Sequence, residues 1–294
     1  MSTDLPDILG SSLPDYLDPT STRFPILEQS PPNLCADRVD YFLRDLIALK
    51  IGFSTHQDRI TFVHQFLSHL IIYQNQMCLT SLSIGLEACR LYMKLNLSHY
   101  ISPKDCACYY LTTLLLKRAM SLGCITELDL DTLGDDEIWK RITNESKIDL
   151  ELKSILDLIM NSSLQFRWIP SSSNQVVVDA DLDFNPKKKD DDSHISEHEL
   201  IQSGWKILKK DIKLKMRYID PFIVMNPTTS TPTPTTNNDY DYYQNSNGNH
   251  DSSTNENNEN GCTVKRVSEL DQEFRNELNI YLQKGLIKYS LWYK

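Results

Sequence analysis

The sequence predicts a mainly α-helical protein with a small β element near its C-terminus, an α+β fold class. Residues 37–162 carry apolar side chains at the three- and four-residue spacing of amphipathic helices. After residue 162 the pattern changes to short clusters of β-forming residues. A stretch near residue 240 is rich in Asn, Thr and Ser and nearly devoid of aliphatic side chains. Together these observations predict a helical core that carries a small sheet.

Five regions are predicted along the chain. Residues 1–34 form a Pro-rich lead-in segment with little periodicity, and residues 35–162 form the helical region. Residues 163–225 form a small β-containing region with a charged loop. Residues 226–262 lack the apolar surface that would offset the entropy of ordering, which predicts a disordered insertion. Residues 263–294 contain a C-terminal helix that we expect to dock on the core.

The helices are predicted from their apolar stripes and from the residues at their ends. Ser102 can cap free backbone amides, Pro103 suits the first helical position and Asp105 lies in the positive first turn, while Gly123 ends the same helix. The predicted helical ranges are 37–47, 59–77, 82–97, 103–122, 136–143, 148–161 and 269–283.

The strands are predicted from β-forming residues at residues 165–169, 176–178 and 212–219. In the last range apolar and cationic side chains alternate, as on the two faces of a strand. The apolar positions are Leu214, Met216 and Tyr218, and the cationic positions are Lys213, Lys215 and Arg217.

Composition limits the classes of function. A chain of 294 residues with 40% hydrophobic residues can bury a substantial core. The net charge of −10 argues against nucleic acid and against an anionic membrane as partners, because a phosphate surface would be repelled. Seven cysteines without framework spacing indicate a reducing compartment, so we expect a cytoplasmic protein, with the nucleus as the second choice. The scattered glycines form neither a phosphate-binding loop nor a nucleophile elbow.

The most informative segment is residues 34–45, with the sequence LCADRVDYFLRD. Helical spacing places its apolar residues on one side and its polar residues on the other, and such a polar face ordinarily faces solvent. The apolar side carries Val39, Phe42, Leu43 and Leu46, and the polar side carries Asp37, Asp40, Tyr41, Arg44 and Asp45.

This segment resembles the last metal-ligand helix of the HD-domain metal-dependent phosphohydrolases. The resemblance covers about residues 4–134 and 213–286, including FPILEQ at 24–29 and GDDE at 134–137. It implies that the helical region is part of an HD-like helical bundle and corresponds to the C-terminal part of such proteins. It also implies a phosphate-containing small molecule as ligand and a divalent metal (Mn, Mg, Fe or Zn) as cofactor where the site is complete.

The resemblance assigns roles to five residues. Asp37 matches the metal ligand at the head of the helix, while Arg38, Tyr41 and Asp45 match positions that line the nucleotide pocket in the dNTP-hydrolysing branch. Arg90 matches an arginine that reaches phosphates.

The chain departs from the family pattern at the other metal ligands. HD phosphohydrolases present a His and then a His-Asp pair before the distant Asp, and this chain supplies only the distant Asp. The dipeptide His250-Asp251 follows Asp37 and lies in the Asn-rich stretch, and Ser98 and Tyr100 stand where some relatives have Tyr and His. One aspartate does not hold a catalytic metal, so we assign no catalytic residue and expect no turnover by the chain alone.

Three hypotheses remain open from the sequence. The first is an HD-type phosphohydrolase whose catalytic front half is lost from this gene model or encoded elsewhere. The second is a degenerate, non-catalytic HD relative that uses the remaining cleft to bind a ligand or a partner. The third hypothesis is a helical protein-interaction protein in which residues 37–45 are merely structural. An apolar surface near the lead-in segment would favour self-association or a partner chain.

Overall fold

The computed structural model describes residues 26–171, 197–225 and 262–294. The predicted strand at 176–178 and nearly all of the predicted insertion at 226–262 lie outside the described residues. The chain falls into two compact units, Met1–Leu91 with Tyr218–Asn276 (unit 1) and Tyr92–Arg217 with Glu277–Lys294 (unit 2). Helices dominate both, and each carries a small sheet, which confirms the mainly α, α+β expectation.

The described residues form helices and strands that follow one another in this order along the chain. They are α1 (Ala36–Ala48), α2 (His56–His69), β1 (Leu70–Tyr73), β2 (Gln76–Leu79), α3 (Leu82–Leu95), a π-helical turn (Asn96–Tyr100), α4 (Pro103–Ser121), α5 (Glu127–Thr132), α6 (Asp135–Glu145), α7 (Leu150–Met160), β3 (Phe166–Pro170), α8 (Glu197–Gln202), β4 (Lys206–Lys213), β5 (Phe222–Met225), β6 (Thr263–Arg266), α9 (Val267–Leu270), α10 (Gln272–Lys284) and β7 (Lys288–Tyr293). Within the described ranges, no helix has the length and apolar run that crossing a membrane requires.

Unit 1 contains a sheet of strand order β1-β2-β5-β6. β1 and β2 form an antiparallel hairpin, β2 and β5 run parallel, and β5 and β6 are antiparallel. Helix α3 approaches this sheet closely at Gly85, where an added Cβ would lie 2.9 Å from Val267 Cγ2 and 3.0 Å from Ile223 Cδ1. A larger residue at position 85 would therefore push α3 away from β5 and α9.

The hairpin corrects the prediction of a single helix over residues 59–77. Helix α2 ends at His69, and the chain turns back through Gln74 and Asn75, whose φ angles are 49° and 59°. Two consecutive residues with positive φ make the tight turn that matches the twist of a two-residue hairpin. The sequence LIIY over β1 is mostly apolar and contains two β-branched isoleucines, and so short a run fits a helix and a strand equally well.

Aromatic side chains fill much of the space between α1 and α2 in unit 1. Phe42 and Phe66 are buried with their ring centroids 6.1 Å apart in an edge-to-face arrangement, and Phe62 lies 6.2 Å from Phe66. The four apolar residues predicted to face the core from α1 are all buried.

Unit 2 packs α4, α6 and α7 around one apolar cluster. The buried members are Leu115, Ala119, Ile125, Ile138, Ile142 and Leu152. Its sheet has the order β3-β7-β4, with antiparallel pairing on both sides of β7. The predicted strand at 165–169 is confirmed by β3, and the helix predicted over 103–122 is confirmed by α4.

The strand predicted over 212–219 is only partly correct. Ladder pairing of β4 ends at Lys213, and the chain continues without a named strand up to β5. The alternation persists, since Leu214, Met216 and Tyr218 are half-buried while the residues between them are exposed. The central strand β7 was not predicted, because four consecutive residues of it are buried and no alternation marks it in the sequence.

A buried tyrosine connects three segments of unit 2. The Tyr281 hydroxyl accepts a hydrogen bond from Asn96 Nδ2 at 2.7 Å and donates to the Arg217 carbonyl oxygen at 2.6 Å. Burial raises the pKa of this tyrosine, so the hydroxyl stays protonated and keeps its donor role.

We expect Tyr281→Phe to lower the free energy of unfolding by about 1–3 kcal/mol, because it leaves the buried Asn96 amide and the Arg217 carbonyl oxygen without this partner. Urea unfolding followed by circular dichroism measures the change. Tyr109→Phe is the matched control, since Tyr109 is 76% exposed. Equal stability of the two variants would contradict the structural role of the hydroxyl.

A second polar contact fixes the start of α7. Asp149 accepts two bonds from Arg118, at 3.2 Å from Nε and 2.5 Å from Nη2, and its Oδ1 accepts from the Leu152 backbone amide at 2.7 Å. The Arg118 guanidinium, and then the Leu152 amide, lower the pKa of Asp149 from its ordinary value of 3.8.

This lowered pKa predicts an acid-dependent loss of stability. The stabilisation by Asp149 is fully present above pH 3.8 and is lost as pH falls through the lowered pKa of the folded state. The melting temperatures of the wild type and Asp149→Asn should therefore differ most near neutral pH and converge in acid. Asp157→Asn, which removes an exposed i, i+4 pair with Lys153, is the control and should change the melting temperature little at any pH. A constant difference across the pH range would contradict the assignment to Asp149.

Candidate functional site

Helix α1 carries four of the five residues that the resemblance singles out. Asp37, Tyr41 and Asp45 follow one another at four-residue intervals and so share one face of the helix. Asp37 is exposed in the first turn, while Tyr41 and Asp45 are half-buried and both take part in contacts. The structure thus brings these three side chains onto a single strip of unit 1.

Arg38 has a different environment from the other three. It is only 6% exposed, and its guanidinium donates to the Gln29 carbonyl oxygen at 2.9 Å and to the carbonyl oxygen of Asn33. The same group forms an ion pair with Glu28 at 3.5 Å. Arg38 therefore holds the segment that precedes α1, in a setting where its charge is already matched by acceptors of this chain.

The start of α1 is capped by backbone rather than by a side chain. Cys35 at the N-cap position makes no side-chain cap bond, and the amides of Ala36 and Asp37 donate to the carbonyl oxygens of Ile26 and Leu27 at 2.8 and 3.3 Å. These are first-turn amides that a helix cannot satisfy internally. Ile26 and Leu27, which belong to the segment that contributes to the family resemblance, thus support the helix end that bears Asp37.

A second arginine supports the same segment from the end of β6. Arg266 donates to Asn33 Oδ1 at 2.9 Å and to the Asp220 carbonyl oxygen at 2.6 Å, and its guanidinium lies 4.1 Å from the centre of the Phe222 ring. The amide of Asp220 donates to the Pro32 carbonyl oxygen at 3.0 Å. Residues 28–33 are therefore held by Arg38 on one side and by Arg266 with Asp220 on the other.

The buried carboxylate of Asp220 is satisfied within unit 1. It accepts from the Ser268 amide at 3.0 Å and from the Ser268 hydroxyl at 2.6 Å, and the residue is 4% exposed. The Cys89 thiol has a pKa well above its ordinary value, chiefly through burial and secondly through the charge of Asp220, with Arg90 opposing the rise. Cys89 is therefore a thiol rather than a reactive thiolate.

Arg90 comes from α3 and belongs to unit 1, like the four residues on α1. It is half-buried and takes part in contacts with this chain.

Beyond α3, the two positions that depart from the family pattern lie on the π-helical turn. The Tyr100 and Tyr92 rings meet edge-on with their centroids 6.5 Å apart, and the Arg217 guanidinium lies 5.9 Å from the centre of the Tyr100 ring. Ser98 is exposed.

The described residues do not by themselves fit a catalytic metal. Within residues 26–171, 197–225 and 262–294, no three His, Cys, Asp or Glu side chains are grouped so that they could hold an ion. His69 on α2 is bonded through Nδ1 to Thr80 Oγ1 at 2.8 Å. Asp37, the metal ligand predicted from the sequence, lies exposed in the first turn of α1.

Sequence reasoning missed Asn33, Asp220 and Arg266. These residues are far apart in the chain, with Asn33 and Arg266 separated by 233 positions. Of these three residues, only Arg266 lies in a local sequence pattern. It precedes α9, and its backbone amide donates to Glu269 Oε2 at 2.8 Å, as in a capping box.

Comparison with known proteins gives two partial similarities. The protein named Uncharacterized protein YdhJ of Bacillus subtilis is 30% identical over 190 residues, which are 64% of this chain and 52% of that protein. Metal-dependent phosphohydrolase cns2 of Cordyceps militaris is 25% identical over 139 residues, which are 47% of this chain and 40% of that protein. No protein-family model and no solved structure matches the chain.

The chain spans about half the length of the curated relatives it matches, 52% of one and 40% of the other. The name of the second relative describes that protein as a metal-dependent phosphohydrolase, which agrees with the HD-type resemblance at a coarse level. The roles of Asp37, Arg38, Tyr41, Asp45 and Arg90 stay predictions.

The contacts of Arg38 predict a structural effect of its loss. We expect Arg38→Met to lower the free energy of unfolding by about 1.5–3 kcal/mol, because the carbonyl oxygens of the half-buried residues Gln29 and Asn33 lose a charged donor. Arg44→Met on the same helix is the matched control, since the Arg44 ion pair with Asp40 is exposed and contributes at most about 1 kcal/mol. Chemical unfolding measures both. If Arg38→Met kept the stability of the wild type but no longer bound a phosphate-containing ligand, Arg38 would have a ligand-binding role and the structural role would be contradicted.

Proposed function

We propose that the chain is a relative of HD-type metal-dependent phosphohydrolases, of the phosphoester or nucleotide type, and contributes Asp37 as one metal ligand. The observation that carries the proposal is the supported end of α1, where the carboxylate of Asp37 is exposed and its backbone is held by Leu27. The partial similarity to a metal-dependent phosphohydrolase points to the same chemistry. A carboxylate in this position offers the hard oxygen ligand that divalent cations prefer.

The remaining residues of the strip would contact the organic part of a phosphate ester. Tyr41 and Asp45 lie one and two turns beyond Asp37 on the same face, where a phenol ring can stack and a carboxylate can accept from a sugar hydroxyl. Arg90 would contribute a guanidinium, whose paired donors match phosphate geometry. Arg38 would act by holding residues 28–33 and thereby the helix end.

We expect the 294-residue chain to be inactive on its own, because a polarising cation needs several ligands and the described residues offer one. Other ligands would have to come from residues outside the described ranges or from another polypeptide. In this proposal Asp37 supplies one ligand of a metal site, and the other ligands come from elsewhere.

The activity test uses two proteins. The 294-residue chain is assayed with 4-nitrophenyl phosphate and with deoxynucleoside triphosphates in the presence of Mn²⁺, Mg²⁺, Fe²⁺ or Zn²⁺, and no turnover above buffer is expected. The second protein is the product of the genomic reading frame extended upstream until it includes a His and a His-Asp pair, and we expect metal-dependent phosphate release from it.

Substitution of Asp37 decides whether the released phosphate depends on this site. In the extended protein Asp37→Asn should reduce turnover by about a thousandfold or more, since loss of one ligand disables the ion. Asp40→Asn, an exposed aspartate three positions along the same helix, should leave turnover within about twofold. Turnover by the 294-residue chain that Asp37→Asn abolishes would contradict the expected inactivity. An extended protein without turnover, or with turnover unaffected by Asp37→Asn, would contradict the proposed function.

A further inference from the structure

Unit 2 contains a cavity of about 460 Å³ that is not part of the strip on α1. A volume of this size lies within the range of pockets for small organic molecules. Its apolar lining comes from four separate parts of unit 2. These side chains are Leu97, Phe166, Trp168, Leu214, Met216 and Tyr289.

The aromatic wall of the cavity is held in place by contacts within unit 2. The Trp168 indole donates from Nε1 to the Ile101 carbonyl oxygen at 2.9 Å, and its ring meets the Tyr289 ring edge-on at a centroid distance of 6.2 Å. The Tyr289 hydroxyl donates to the Lys284 carbonyl oxygen at 3.3 Å. A wall built in this way is ordered before any ligand arrives, so binding does not have to supply that ordering.

A further part of the apolar lining depends on one glycine. Leu214 and Met216 turn inward from the extended chain that follows β4, while Lys213 and Lys215 stay exposed. At Gly285 an added Cβ would lie 2.5 Å from Met216 Cγ, so a side chain there would displace the methionine. The absence of a side chain at position 285 therefore lets Met216 occupy its place in the lining.

Charged side chains of both signs lie along one side of the cavity. Lys104 and Lys284 line it together with the carboxylate of Asp105. Asp105 accepts the Ser102 hydroxyl and belongs to the N-cap of α4, so part of its hydrogen-bonding capacity is already used. Lys104 is exposed, and Lys284 is half-buried and takes part in a further contact of this chain, so these two lysines form the cationic edge of the cavity beside one capped carboxylate.

We propose that this cavity binds a small aromatic anion, in which a phosphate or carboxylate is attached to a planar ring. The ring would pack on Trp168 and Met216, and the anionic group would reach Lys104 and Lys284. An apolar pocket with a few converging polar groups is the usual architecture of such a site.

Binding is tested by isothermal titration of the full 294-residue chain with 1-naphthyl phosphate, 1-naphthoate, 1-naphthol and inorganic phosphate. EDTA is present throughout, so the result does not depend on a metal or on phosphohydrolase activity. Both aromatic anions should bind about tenfold tighter than 1-naphthol, the increment of one charge-assisted contact. They should also bind tighter than inorganic phosphate, which lacks the ring. Equal binding of 1-naphthol and the anions, or no binding of any aromatic probe, would overturn the proposal.

The two aromatic anions separate the possible sources of the anionic group. A preference for 1-naphthyl phosphate assigns the cavity to aromatic phosphates, and a preference for 1-naphthoate assigns it to aromatic carboxylates. Either preference supports the proposal, because both need the cationic edge beside the aromatic wall.

The charge requirement is tested by the double variant Lys104→Gln/Lys284→Gln. It should bind 1-naphthyl phosphate about tenfold more weakly while binding 1-naphthol as the wild type does. Lys153→Gln is the matched control, because Lys153 lies on α7, is exposed and does not line the cavity. Circular dichroism checks that each variant is folded, and the comparison of probes on the wild type stands without them. Unchanged affinity of the folded double variant for the anion would overturn the assignment.

The site is separate from the proposed metal-ligand strip. Asp37→Asn should leave the affinity for 1-naphthyl phosphate within about twofold, since Asp37 does not line the cavity. A loss of affinity in Asp37→Asn would mean that the probe binds at α1, and it would contradict this inference without bearing on turnover.

Discussion

The organisation of unit 1 depends on two guanidinium groups that hold one short segment of chain. Arg38 and Arg266 donate to backbone and side-chain oxygens within residues 28–33. Charged donors form stronger hydrogen bonds to carbonyl oxygens than neutral donors do, and their removal leaves those oxygens buried without partners. The chain that leads into α1 in turn receives the first amides of that helix, so the exposure of Asp37 at the helix end follows from contacts made by other residues.

This arrangement changes the physical meaning of the motif at residues 34–45. The family resemblance assigns four residues of this motif to a metal or a ligand, and the structure places these four in two different environments. Asp37, Tyr41 and Asp45 share a face, whereas Arg38 is buried among acceptors of its own chain. The motif therefore places Asp37, Tyr41 and Asp45 on one face of α1, while Arg38 from the same helix holds the segment that precedes it.

Local features of the fold could be predicted from sequence, and long-range ones could not. The cap of α4 is the clearest success, since the Asp105 amide donates to Ser102 Oγ at 3.0 Å. Helical spacing also predicted the apolar face of α1 and the burial of Phe274 and Tyr281 on α10. The hairpin of β1 and β2 was missed, because a short apolar run satisfies both periodicities. Asp220 and Arg266 were missed because their partners lie in a distant part of the sequence, where no local pattern signals the contact.

The π-helical turn after α3 affects how positions in this region are compared with those of other proteins. Its closing bond joins the Ile101 amide to the Asn96 carbonyl oxygen at 2.9 Å, a span of five residues where an α-helix spans four. Side chains beyond the turn are therefore rotated about the helix axis relative to an uninterrupted helix. Ser98 and Tyr100 lie within this turn, so their side chains point in directions that differ from those of an uninterrupted α-helix continued from Arg90. Equivalence in this part of the chain has to be judged by direction in space, because counting along the sequence no longer measures it.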